Sequence, residues 1–295
     1  MRACLAAALS LALGVSSLAA HSGARFRSTD LSISFDDEGP GPVDCDALRV
    51  QVGGKEASVQ EVLIDLPGGD VLDVSADAQG GIYVQGTREG NYTARLCKAA
   101  ADPELLGAIR PVVQGHSLSV EGPDAKGWAA YLIIDAPADA SMHLETANAP
   151  ITLKKVRGSY VAEAQNGPIS IEGASATIDA STLNGPIAVS RSEGDVKLRA
   201  QNGPLAVQLE DAWRGKGLDA RTQNGPVALT VGSGFRSGIV LESTGHSPWD
   251  CDGPVCDDVR VSGRGDGRTF TLGGSPALVR LATVNGPVAI ESSEQ

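Results

Sequence analysis

Apolar and polar residues alternate singly along much of the chain, and the alternation restarts at a fixed interval. Counting back by two, four and six from Asn184 gives Thr182, Ala180 and Ile178, and from Asn202 gives Ala200, Leu198 and Val196. Asn224 is preceded in the same way by Thr222, Ala220 and Leu218, and Asn285 by Thr283, Leu281 and Val279. The residues between are mostly polar, among them Asp179, Lys197, Arg199, Asp219, Arg221 and Arg280. A period of two predicts a strand with one buried face. After each Asn the alternation resumes one position out of step, at Ile169/Ile171, Ile187/Val189, Leu205/Val207, Val227/Leu229 and Val288/Ile290. The break therefore predicts a corner that redirects the chain while keeping apolar residues inward.

That corner is spelled Asn-Gly-Pro at Asn166-Gly167-Pro168, Asn184-Gly185-Pro186, Asn202-Gly203-Pro204, Asn224-Gly225-Pro226 and Asn285-Gly286-Pro287, with a degenerate form at Asn148. Asn tolerates the left-handed region, and Gly supplies a positive φ without a Cβ clash. Pro fixes φ and lacks an N–H, which suits the first position of a strand. Stacked at about 4.8 Å, successive Asn side chains can bond one another as a ladder. From Asn148 onward the Asn residues lie 18, 18, 18, 22 and 61 residues apart. Hairpins also use Asn-Gly, but they need no single corner at a constant period. The expected fold is all-β, a single elongated β-solenoid of 18–22-residue coils with one short N-terminal capping helix. The long last interval reads as three such periods, with weaker turns around residues 243–246 and 263–267.

Strand, Thr-x-Asn-Gly corner and alternating apolar residues together resemble the "putative adhesin" family of bacterial secreted β-solenoid proteins, a domain of unknown function. "GDGRTFTLGGSPALVRLATVNGPVAIES" is similar to that family's last coils, and "YLIIDAPADASMHLETANAPITL" to its entry into the repeats. The resemblance spans roughly residues 60–291 and implies an exported, repetitive, adhesive protein; it carries no catalytic signature. The Pro after Asn-Gly and the cysteine loop are particular to this chain.

The rest of the sequence divides around this core. Residues 1–20 read as a signal peptide, with Arg2 before "CLAAALSLALGV" and small residues offering cleavage after Ala19, Ala20 or Ala24. Residues 21–59 hold N-terminal strands and an acidic Gly/Pro loop, residues 60–140 a capped first part of the solenoid, and residues 141–292 its regular part. "QGGIYV" (79–84) reads as a degenerate first corner. Asp102 as N-cap, Pro103 at the first position and Pro111 as a stop predict the helix, placed to shield a sheet edge. The expected location is exported: periplasmic, cell-surface or secreted.

In that setting Cys45, Cys97, Cys251 and Cys256 suggest disulfides. "CDGPVC" makes Cys251–Cys256 the local pair and leaves Cys45 with Cys97. The net charge of −12 disfavours nucleic acid and anionic membrane. Later stretches are too short to span a membrane.

Chemistry is sparse. His21, His116, His143 and His246 lie in no nucleophile or metal motif, and no stacked acid pair is evident on the outward strand positions. The candidate ligand loop is 246–258, where Trp249 sits among Asp250, Asp252, Asp257 and Asp258; it could hold Ca²⁺ or stack a sugar, or be a solvated insertion with Trp249 folded back. Trp128 and Trp213 read as packing. No cofactor and no metal are expected. The expected function is a non-enzymatic, adhesin-like or envelope-associated scaffold whose partner is an envelope glycan or a surface protein. A polysaccharide-active β-helix enzyme and an end-to-end self-assembling coil are the alternatives.

Overall fold

Each regular segment of the chain supplies one strand to each of two long, stacked sheets. The computed structural model describes residues 26–27, 31–35, 44–52, 54–66, 71–76, 80–88, 90–211, 213–244, 248–257, 259–263 and 267–293. Residues 1–20, His21, His246, Asp258 and residues 264–266 lie outside them.

The strands run, in chain order, β1 (Phe26–Arg27), β2 (Leu31–Phe35), β3 (Leu48–Val52), β4 (Lys55–Glu56), β5 (Ser58–Ile64), β6 (Leu72–Ala76), β7 (Gly80–Gly86), β8 (Thr93–Ala100), β9 (Arg110–Gln114), β10 (Ser117–Glu121) and β11 (Trp128–Ala136). They continue with β12 (Ser141–Thr146), β13 (Ile151–Lys154), β14 (Arg157–Ala164), β15 (Ile169–Glu172), β16 (Ser175–Thr182), β17 (Ile187–Ser190), β18 (Glu193–Ala200), β19 (Leu205–Leu209), β20 (Gly217–Thr222) and β21 (Val227–Gly232). The last are β22 (Gly238–Thr244), β23 (Trp249–Asp252), β24 (Arg260–Ser262), β25 (Gly267–Leu272), β26 (Ala277–Thr283) and β27 (Val288–Ser293).

Sheet I has 12 strands in the order β24-β25-β22-β26-β20-β18-β16-β14-β12-β6-β10-β9. Sheet II has 11, in the order β23-β27-β21-β19-β17-β15-β13-β7-β11-β8-β5. From β12 to β21 all neighbours are parallel, and Glu145, Glu163, Ser181 and Arg199 stand side by side on successive strands of sheet I. Ile151, Ile169, Ile187, Leu205 and Val227 do the same in sheet II. The alternating apolar residues of both sheets point between them and are almost fully buried.

At the Asn corner the side chains bond rung to rung. Asn166 Nδ2 donates to Asn148 Oδ1 at 2.8 Å, Asn184 to Asn166 at 2.8 Å, Asn202 to Asn184 at 2.9 Å, Asn224 to Asn202 at 2.8 Å and Asn285 to Asn224 at 2.8 Å. Beneath the ladder, Thr222 and Thr283 donate to the carbonyls of Gly203 and Gly225 at 2.9 and 3.0 Å. The glycine has a different reason from the one expected. None of the Asn-Gly-Pro glycines has a positive φ. A Cβ on Gly167, Gly185, Gly203, Gly225 or Gly286 would instead lie 1.9–2.2 Å from the carbonyl oxygen one rung below. Close backbone approach, not handedness, excludes a side chain. Left-handed backbone sits at the opposite corner, where Lys155, Gly173 and Arg191 have φ of 54°, 62° and 49°.

Four further expectations need correction. The capping helix is a six-residue 3-10 helix, Pro103–Ala108, capped by Asp102 accepting from the Glu104 N–H at 3.0 Å. Six residues are too few to sustain an α-helix. It crosses from β8 of sheet II to β9 at the edge of sheet I, with Leu105 and Leu106 on the core and Lys98 Nζ on the Leu106 carbonyl at 2.9 Å. "QGGIYV" is mostly strand: Ile82 stands beside Ile151, so Gly80 and Gly81 share the register of Ala149 and Pro150, but both pair with β11. Gln79 itself lies outside the described residues.

The interval of 61 residues before Asn285 is not three successive coils. β26 and β27 lie directly beside β20 and β21, while β22 and β23 form the rung beyond them. The chain overshoots by one rung and returns to fill the gap. β24 and β25, on either side of residues 263–267, pair antiparallel with each other instead of belonging to successive rungs. The same arrangement places β23 alongside the C-terminal strand β27.

Finally, residues 44–57 are not merely a preamble. The antiparallel sheet β1–β4 lies across the outer face of sheet II, where Cys45, Leu48 and Val50 pack on Tyr83, Ala99, Tyr131 and Ile133. Here β11 is buried on both faces, which accounts for its unbroken apolar run "WAAYLII".

Candidate functional site

The outward residues of sheet I form columns along the stack. Nearest the Asn corner run Gln165, Leu183, Gln201 and Gln223; the next column inward holds Glu145, Glu163, Ser181, Arg199 and Arg221; the next holds Asp73, His143, Val161, Asp179, Lys197, Asp219 and Arg280. Between the first two columns lies an open groove of about 490 Å³, lined by Glu145, Glu163, Arg199 and the Gln residues. Parallel pairing in strict register is what gathers residues so far apart in sequence.

The groove holds a feature that the sequence reading did not find. Glu145 and Glu163 are directly opposed on neighbouring strands, a stacked acid pair. Counting in register from the degenerate Asn148 corner would have exposed it. His143 lies beside this pair, with Nδ1 3.7 Å from Asp73 and Nε2 3.9 Å from Glu163. Further along, Arg199 pairs with Asp179, and Arg221 Nε bonds Asp219 at 2.7 Å. That bond raises the Arg221 pKa, so the guanidinium is charged throughout. The Glu163 side chain is 53% exposed and that of His143 43%, so this is an open surface and not an enclosed cleft.

Of the candidate loop, residues 248–257 are described. Trp249 packs on Phe270, with ring centroids 4.4 Å apart, and rests against the core at the end of sheet II. Asp250 and Asp252 are exposed along β23, and Asp257 follows the 3-10 turn Pro254–Cys256. Among the described residues no group of three or more His, Cys, Asp or Glu could hold a metal ion. Cys251 is bonded to Cys256 and Cys45 to Cys97. The second bridge ties the β1–β4 layer to sheet II. Trp128 is buried with its indole N–H on the carbonyls of Pro123 and Ala125, and Trp213 packs near Phe235 with its N–H on Ser192.

Comparison with protein-family models and with curated proteins gives no match. Among solved structures, one of a "putative cell adhesion protein" from Clostridium sporogenes aligns at 9% identity and a TM-score of 0.36, covering 80% of this chain and 100% of that one. A "putative adhesin" from Bacteroides fragilis aligns at 8% identity and a TM-score of 0.39, covering 80% and 97%. A "putative adhesin" from Parabacteroides merdae aligns at 12% identity and a TM-score of 0.28, covering 81% and 96%. At these values the likeness assigns nothing to this chain.

Proposed function

We propose that the chain is an exported, non-enzymatic, adhesin-like binding scaffold built as a two-sheeted β-solenoid. The constant offset of paired strands supports the solenoid, and two disulfides support an oxidising compartment. No described helix is long and apolar enough to cross a membrane. The observation that carries the binding role is the outer face of sheet I, where β6, β12, β14, β16, β18, β20 and β26 stand in register around a polar groove. A rigid, repetitive face of this kind is what repeat proteins use to hold extended partners. The partner class is an envelope glycan or a surface protein.

The test is a panel of envelope glycans and surface proteins, scored together for retention and for newly formed reducing ends. Retention that is lost in Arg199→Ala and Gln201→Ala supports the scaffold; release of reducing ends overturns it. One observation favours the enzymatic alternative, the Glu145–Glu163 pair, because glycoside hydrolysis uses two carboxyl groups flanking one bond. Under that reading Glu145→Gln with Glu163→Gln abolishes product while leaving retention in place. Deleting residues 167–184 removes one coil and leaves the Asn-Gly-Pro corner intact at the junction. A shorter, still folded β-protein is the expected outcome; loss of the β circular-dichroism signal counts against the solenoid.

A further inference from the structure

The binding face of sheet I is divided by charge along its stack. β6, β12, β14 and β16 present Asp73, Glu145, Glu163 and Asp179, with no Lys or Arg in the same two columns. β18, β20 and β26 present Lys197, Arg199, Arg221 and Arg280, interrupted by Asp219 in those columns and by Asp195 and Glu193 beside them, and β22 beyond them adds Glu242. The boundary falls between β16 and β18, where Arg199 reaches back to Asp179. Three exposed apolar side chains, Val161 (39%), Leu183 (44%) and Val284 (45%), lie on the same side of the sheet or at its corner.

We propose that the partner of this face is a second copy of the chain, lying face to face about a two-fold axis near the β16–β18 boundary. A two-fold contact must be self-complementary, because each patch meets the same patch reversed. Reversal about that boundary sets the acidic strands of one copy over the basic strands of the other. A uniformly charged face would repel itself in the same arrangement, and a randomly mixed face would gain nothing from the reversal. Seven strands at about 4.8 Å, with about six residues of each at 3.3 Å, give roughly 650–700 Å² per copy, close to the roughly 800 Å² per partner of a stable interface. The apolar trio supplies the uncharged contact that charges alone do not, and Arg in this setting suits paired carboxylates on the opposing copy.

This inference rests on the reading of the sheet I face as the binding surface and names its occupant. It is distinct from end-to-end stacking, which would use the terminal strands and leave this face free.

Sedimentation velocity tests it with the full mature chain. The wild type is expected to form dimers that dissociate as salt rises, since exposed charges are screened within about 8 Å at physiological ionic strength. Glu145→Arg with Glu163→Arg makes the face basic, and Arg199→Glu with Arg221→Glu makes it acidic. Each double variant alone is expected to be monomeric, and an equimolar mixture to recover dimers containing one of each. Recovery on mixing also shows that both variants are folded. A wild type that stays monomeric at low salt and high protein concentration overturns the proposal. So do double variants that dimerise alone like the wild type, and variants that are folded by circular dichroism but fail to pair on mixing. Retention on a glycan by a strictly monomeric wild type defeats this inference alone. Dimerisation whose loss in the variants leaves all retention unchanged defeats the shared-face reading.

Discussion

The described residues before β12 and the regular strands that follow are stabilised in opposite ways. Between β12 and β21 every contact recurs: the same buried apolar columns, the same Asn amide bond and the same glycine under a neighbouring carbonyl. Around β3, β8 and β11 the pairing becomes antiparallel or adds a layer, although β7 still shares the repeat's register, and three layers are held by packing around Tyr83 and Tyr131 and by one disulfide between residues 52 positions apart. Repetition predicts that one repeat can be removed while each corner rejects an added side chain. The layered end tolerates no loss of its single covalent tie.

Substitutions can break this contrast at either side. The largest effect is expected from replacing both Cys45 and Cys97 by Ala, since closing a loop of that size stabilises by about 4 kcal/mol. Hydrogen exchange should then show the amides of β3 opening while those of β14 to β18 stay protected. If the coils open equally, the two regions are one cooperative unit. Next, Gly185→Ala forces a Cβ to within 2.1 Å of the Gly167 carbonyl oxygen. A loss of about 3 kcal/mol in chemical denaturation is expected from overpacking of this severity.

A smaller loss, about 1–2 kcal/mol, is expected for Asn184→Ala, which removes an amide bonded on both sides. Asn148→Ala, at the end of the ladder, should cost about half as much, because it removes one bond where Asn184→Ala removes two. Equal losses would mean that the ladder contributes through each corner separately. The smallest change has the opposite sign. Lys155→Gly relieves a non-glycine residue at φ 54° and is expected to stabilise by about 0.5–1 kcal/mol. Gly173→Ala, one rung along in the same left-handed position, should reverse that gain.

Legibility in the sequence followed the same division. Alternation before each Asn, the parity shift after it and the constant spacing located the strands of the coils, because one buried face per strand is a local property. The opposite corner was not legible, since Lys155, Gly173 and Arg191 share a backbone conformation and not a residue type. The third layer was not legible either. Its signal was present in the unbroken apolar run of β11, but a run buried on both faces does not say what covers the second one. The acid pair escaped because Glu145 precedes a degenerate corner, so the register that opposes it to Glu163 was not extended that far back. The sequence left open whether Trp249 stacks a sugar or folds back, because an aromatic residue among carboxylates reads the same in either case; in the structure it packs on Phe270.

The rung that β22 and β23 form before β26 and β27 arrive bears on how the protein is completed. Once β11 has settled between β7 and β8, a chain emerging amino-terminal end first can add strand upon strand from β12 as far as β21, each new strand finding its neighbour already in place. The next pair of strands cannot do so, because the position between them and the stack belongs to residues not yet delivered. That end is therefore closed like an arch and not extended like a wall, with residues 277–293 as its keystone. Until they insert, the assembly keeps an open seam.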